Sequence, residues 1–204
     1  MAVGQLVWDM DGTLLDSGVA VPAAFVAAVR RLGGPVVSPD DVVASYARGT
    51  AEVILAHLLG REVTPLDADA YYAELSAATV DPYPGVAEVL TALRARRHLV
   101  AVFTGASTRA ARMLLSSAGL SADLLIGGDQ VPNPKPAGDG LVAAARLLGI
   151  APADLAYIGD SPLDLRAAKA AGGYSVAAAW GHQYDGAEPA DFTLAAPGDA
   201  LALL

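Results

Sequence analysis

The sequence predicts an α/β fold: a doubly wound parallel sheet interrupted by an inserted, purely helical segment. Two observations carry this. Short β-like runs alternate with helical patterns along most of the chain, which implies parallel strands joined by right-handed crossovers. One stretch near the N-terminus breaks the alternation with four successive helical patterns and no strand between them. With 204 residues, 54% of them hydrophobic, the chain is long and apolar enough to bury a sizeable core.

Taken in order, the first β-like run is Gln5 to Trp8. From about Ser17 to Asp81 come the four helical patterns, near 22–33, 40–48, 50–59 and 66–78. The hinges of this segment are expected at Asp16 to Ala20 and at Val80 to Pro84, where Asp81-Pro82-Tyr83-Pro84-Gly85 stops any helix. Further β-like runs follow at His98 to Phe103, Asp123 to Ile126, Leu155 to Ile158 and Tyr174 to Ala179. The helical patterns Val86 to Arg97, Ser107 to Gly119, Ala137 to Gly149 and Pro162 to Gly172 separate them, each ending near glycine or a basic residue as helix C-termini tend to. The expected division is a sheet-bearing core of residues 1–16 and 82–204 and a helical cap of residues 17–81.

Composition narrows the function. No cysteine is present, so disulfides, thiolate metal sites and cysteine nucleophiles are excluded. A formal charge of −9 leaves no basic stripe for nucleic acid. No apolar run approaches the roughly 18 residues of a membrane span, and no leader-like N-terminus is apparent; the expectation is a cytoplasmic protein, monomer or homodimer, without nucleic-acid or membrane partners.

In an open α/β sheet, ligands bind beyond the carboxyl ends of the strands, so the residues just after each run are the informative ones. After the first come Asp9 and Asp11, two carboxylates roughly 6 to 7 Å apart at Cα if the chain stays extended, with Gly12 allowing close backbone approach. One carboxylate can attack phosphorus while the other protonates the departing oxygen. The same Asp11-Gly12 pair is also a hairpin signal. After the second run, Thr104 and Gly105 offer a hydroxyl and amides to a phosphate oxygen, although Thr104 also reads as an ordinary strand end with Ser107 capping the next helix. Lys135, one of only two lysines, lies in Pro134-Lys135-Pro136, which alone reads as an extended linker. After the fourth run, Asp160 and Asp164 suit a hard divalent cation, while Ser161, Pro162 and Asp164 alone form a capping box.

Together these segments resemble the four motifs of the haloacid dehalogenase superfamily, in particular its phosphoglycolate-phosphatase-like phosphatases. Residues 9–17 match the first motif, Asp-x-Asp-Gly-Thr; Thr104 stands for the second, Lys135 for the third, and residues 159–164 for the fourth, Gly-Asp-Ser-x-x-Asp. The second departs from the family pattern, since Gly105 follows the hydroxyl residue where asparagine is common.

The resemblance implies a Rossmann-like core and a Mg²⁺-dependent phosphatase acting on a small phosphorylated metabolite. In it Asp9 is the nucleophile that becomes an aspartyl phosphate, Asp11 the acid and base, Thr104 and Gly105 phosphate contacts and Lys135 the neutralising cation. Mg²⁺ is held by Asp9, the Asp11 carbonyl, Asp160 and Asp164. Arg48, at a turn between two cap helices, is the expected contact to the leaving group. The histidines His57 and His98 read as structural, with His182 at the entrance. The same residues fit a phosphosugar mutase of the β-phosphoglucomutase type. A receiver-like phosphoaspartate module and a binding module without turnover are further alternatives. The dehalogenase branch lacks an equivalent of Asp11, and the phosphonate-cleaving branch needs a cap lysine that this chain does not have.

Overall fold

Every strand in the sheet is parallel to its neighbours, and their order fixes where the site must lie. The computed structural model describes residues 3–204, so the first two residues of the core expected from residue 1 lie outside the described residues. The strands are β1 (Gln5–Trp8), β2 (Ala101–Phe103), β3 (Leu124–Ile126), β4 (Leu155–Gly159), β5 (Tyr174–Ala178) and β6 (Phe192–Leu194), arranged in the sheet as β3-β2-β1-β4-β5-β6. The order reverses between β1 and β4, which makes their carboxyl ends the topological switch point where ligands bind in such sheets.

Strand residues alternate between two buried faces, as the two-residue period of a pleated strand requires. Leu6, Trp8, Val102, Ala156 and Ile158 pack into one apolar cluster, and Val7, Ala101, Phe103, Leu155 and Tyr157 into the other. The first face is covered by α5 (Val86–Ala95) and α6 (Thr108–Ser117), the second by α7 (Asp139–Leu148) and α8 (Pro162–Ala171). Burial on both faces explains why the strands read as continuous apolar runs rather than alternating ones. Among the described residues no helix is long and apolar enough to cross a membrane.

Between β1 and α5 the chain forms α1 (Ala20–Arg31), α2 (Pro39–Val43), a 3₁₀ turn (Tyr46–Arg48), α3 (Ala51–Leu59) and α4 (Pro65–Ala77). Local chemistry sets these starts. Ser38 and Thr64 each cap a helix through a reciprocal box with Asp41 and Asp67, and each has proline at the next position. The single pattern expected over 40–48 is broken, because the Ser45 hydroxyl donates to the Asp41 carbonyl and the chain tightens into the 3₁₀ turn. The two passages joining these helices to the sheet run side by side: Asp16 N–H donates to Asp81 O at 2.9 Å and Tyr83 N–H to Leu14 O at 3.0 Å.

Two further expectations need correction. β2 begins at Ala101 and not at His98, since His98 and Leu99 lie in irregular chain just beyond the turn at Arg96 and Arg97 that leaves α5. The strand β6 was not anticipated; its three residues follow a Gly, Asp and Pro-rich loop and offer no periodicity.

Candidate active site

The chain that follows β1 stays paired for one residue more: Asp9 N–H donates to Ile158 O at 2.8 Å, which drives the Asp9 carboxylate into the sheet rim at 3% exposure. Its Oδ1 lies 2.7 Å from Lys135 Nζ. The same ammonium lies 2.6 Å from Asp164 Oδ1 and 3.1 Å from the Tyr157 hydroxyl. Burial alone would lower the Lys135 pKa, but the carboxylates of Asp164 and Asp9 outweigh it and hold the group firmly charged. Burial, and then the neighbouring Asp164, push the Asp9 carboxyl well above its usual range in spite of Lys135.

Asp164 is held from both sides. Oδ2 accepts from the Ser161 hydroxyl at 2.6 Å and the Ser161 N–H at 3.1 Å, completing the capping box of α8, while Oδ1 takes Lys135 and Tyr157. The capping and the site readings of this residue are therefore both realised, one on each oxygen.

Asp160 differs. Its Oδ2 accepts from Gln183 N–H at 2.8 Å, but its Oδ1 is buried without a hydrogen-bond partner among the described residues. Burial pushes its pKa up to about 7, against the opposing hydrogen bond from Gln183. The approach of Asp160 to the first loop requires Gly12: φ there is +80°, and a Cβ would sit 2.2 Å from Asp160 Oδ2.

Asp11 lies at the same cavity, fixed by a 2.6 Å hydrogen bond from the Ser17 hydroxyl to its Oδ1. Burial raises its pKa even so, which favours the protonated form an acid catalyst needs. The hairpin reading of Asp11-Gly12 is not realised, because Gly12 to Leu15 fold into a tight turn on the Met10 carbonyl and no second strand follows. Thr104, 1% exposed, accepts from Ala106 N–H at 3.1 Å, so its own hydroxyl proton remains free to donate into the cavity that Thr104 and Gly105 line. Ser107 caps α6 as expected.

Ligand atoms of Asp9, Asp160 and Asp164 lie within 4.8 Å of one another. Three buried carboxylates with one ammonium among them carry surplus negative charge, and Asp160 Oδ1 has no donor among the described residues. Both features fit a divalent cation bound through oxygen. The carboxylate of Asp11 is not part of this cluster.

One expected residue is displaced. Arg48 is exposed and does not line the cavity, although Tyr46 and Gly49 on either side of it do. At about three residues per turn, positions 46 and 48 of a 3₁₀ turn face different ways, and here the tyrosine faces inward. His182 lines the cavity, with Nδ1 3.1 Å from the Tyr83 hydroxyl; His57 and His98 do not.

Other contributors were invisible beforehand. Tyr157 sits mid-strand and reads as core; only its parity with the strand end could have placed its hydroxyl near the rim. Ser17 and Gln183 act through single hydrogen bonds that no spacing announces.

A family model for haloacid dehalogenase-like hydrolases matches residues 5–172, and the chain belongs to that family. It is similar over most of its length to phosphoglycolate phosphatases. It is 28% identical over 204 residues to that of Aquifex aeolicus, covering 98% of this chain and 95% of the relative. To that of Chromobacterium violaceum it is 31% identical over 204 residues, covering 94% and 92%. Membership and these relatives make the chain a phosphatase. Among solved structures it shares its fold with CbbY from Rhodobacter sphaeroides in complex with phosphate, at TM-score 0.81, 22% identity and coverage of 97% and 96%. It likewise resembles a hydrolase from Deinococcus radiodurans with bound phosphate and sodium, at TM-score 0.68, 24% identity and coverage of 98% and 95%.

Proposed function

We propose that the protein is a Mg²⁺-dependent phosphatase that hydrolyses a small phosphate monoester through an aspartyl phosphate on Asp9. The observation that carries this reading is the grouping of Asp9, Asp160 and Asp164, the first and last of them paired with Lys135, beside a cavity that Asp11 also lines.

Lys135 and Tyr157 both engage Oδ1 of Asp9, so Oδ2 is the attacking atom. It forms a bond to phosphorus as the bond from phosphorus to the ester oxygen breaks, and Asp11, oriented by Ser17, delivers its proton to that oxygen. Asp11 then takes a proton from water as the water oxygen attacks phosphorus, which restores the Asp9 carboxylate and frees phosphate. Thr104 donates its hydroxyl proton to a phosphoryl oxygen, with Gly105 leaving room beside it. Lys135 opposes the burial that raises the Asp9 pKa and neutralises the phosphoryl charge. Asp164 holds Lys135 and, with Asp9, the Asp11 carbonyl and Asp160, surrounds the place for Mg²⁺. Bound there, the cation would offset charge on the transferring group.

In this reading residues 17–81 are an inserted cap on a core of residues 1–16 and 82–204, and the cap excludes water and meets the leaving group. The test is release of inorganic phosphate from a panel of monoesters with Mg²⁺ and with chelator. Release that needs Mg²⁺ and disappears in Asp9→Asn is the expected result. Isomerised sugar phosphate without free phosphate would instead reveal a mutase, and a stable phosphoprotein a module without turnover.

A further inference from the structure

The wall of the cavity that faces the acid pair comes from the helical segment and is apolar. Val21 and Phe25 of α1, Ile54 of α3 and Tyr71 of α4 line it, with Tyr46 from the 3₁₀ turn. Phe25 and Tyr71 stack with ring centroids 4.2 Å apart and planes 25° apart, giving a continuous aromatic face.

Charge is distributed very unevenly around the cavity. Asp9, Asp11, Asp160 and Asp164 all line it, whereas the basic side chains among the described lining residues are Lys135 and His182 alone. Lys135 is already shared between two carboxylates. His182 is exposed at the mouth and shares Nδ1 with the Tyr83 hydroxyl. The nearby arginines are engaged or turned away: Arg48 is outside the lining, and Arg109 stacks on the Tyr72 ring and pairs with Asp69.

Two neutral donors complete the wall. Burial, and then the charge of Asp11, hold the hydroxyls of Tyr46 and Tyr71 un-ionised. Neither hydroxyl has a hydrogen-bond partner among the described residues.

We infer that the leaving group is a neutral, largely apolar alcohol, aliphatic or aromatic, with at most one or two hydrogen-bonding atoms. This inference rests on the phosphatase reading and sharpens its substrate class. A monoester with a second anionic group, such as the carboxylate of phosphoglycolate, would have to bury that charge against apolar side chains and near four acids, with no basic side chain in the wall itself and only the exposed His182 beyond Lys135 in the lining. The phosphoryl group escapes this penalty because Lys135 and the cation site meet it. Likeness to phosphoglycolate phosphatases thus extends to the phosphoryl chemistry and not to the acid they are named for.

The experiment compares kcat/KM for benzyl phosphate, butyl phosphate and phosphoglycolate at saturating Mg²⁺, all alkyl esters. The expected result is a preference of about tenfold or more for benzyl or butyl phosphate over phosphoglycolate, the size that one mismatched pocket contact produces. A smaller or reversed preference overturns the inference while leaving the phosphatase reading intact. No release from any of the three, nor from a wider set of monoesters, removes both. A second measurement places a cation in the wall: Val21→Lys, at a half-buried position, should shift the ratio toward phosphoglycolate by about tenfold. A folded variant with an unchanged ratio shows that this wall does not read the leaving group, and overturns the inference.

Discussion

The sheet rim and the helical wall face each other across one cavity but are built on opposite principles. At the rim, residues brought together from four strand ends are locked by short charge-assisted bonds, such as Lys135 to Asp9 at 2.7 Å and to Asp164 at 2.6 Å. The wall has almost no fixed polar contacts, and two of its hydroxyls are unclaimed. In the proposed reaction the rim must hold a phosphoryl group to within about 0.5 Å. A wall has only to exclude water and accommodate a shape, and packing suffices for that. Disturbance should therefore act on rate at the rim and on selectivity at the wall.

The strongest way to break this contrast is Asp9→Asn. Phosphate release should fall by roughly 10⁴-fold or more, while thermal stability holds or rises because a crowded buried charge is gone. Measurable turnover near the wild-type rate would remove Asp9 from the chemistry. Next in size is Lys135→Met. It strands Asp9 and Asp164 without their cation and should cost about 3 to 5 kcal/mol in denaturant unfolding, besides abolishing activity. A loss below about 1 kcal/mol would mean that the ammonium is not what holds the rim together.

A subtler effect concerns pH. The pKa of Asp160 in the fold, about 7, lies above its ordinary value. In chelator, its contribution to stability is fully present below the unfolded pKa and is lost as pH rises from about 4 through about 7. Melting temperature should drop over that interval, and millimolar Mg²⁺ should restore more of it at pH 8 than at pH 5. An identical Mg²⁺ increment at both values would count against Asp160 as a ligand.

The smallest effect lies at the seam between wall and rim. The Tyr72 hydroxyl donates to Glu52 at 2.6 Å and lies 2.7 Å from Ser107 Oγ, while Arg109 sits 4.0 Å above its ring. Tyr72→Phe should cost about 1 kcal/mol of stability and shift KM more than kcat, which steady-state kinetics would resolve.

The same contrast explains what the sequence disclosed. Rim residues are legible because topology dictates them: a residue after a parallel strand at the switch point has nowhere else to go. Asp9, Asp160 and Lys135 could be expected to converge without knowledge of any side-chain contact. Wall residues are not legible, because Phe25, Tyr46 and Tyr71 in helical patterns look the same whether they fill a core or line a pocket. Arg48, expected at the leaving group from its place at a turn between two helices, is exposed and outside the lining, while the aromatic two positions earlier lines the cavity. β6 escaped because three residues cannot display a period. The end of the helical segment was legible at Asp81-Pro82-Tyr83-Pro84, where helix-breaking chemistry is explicit and where the chain pairs back onto Leu14 to Asp16.

The paired strand-like passages at Leu14 to Asp16 and Asp81 to Tyr83 also bear on how such enzymes diversify. The polypeptide departs and returns through adjacent positions, clamped by two backbone hydrogen bonds that involve no side chain of the helices beyond. In the proposed division into core and cap, a graft joining these passages to another helical bundle inherits the reaction and acquires a new clientele of esters.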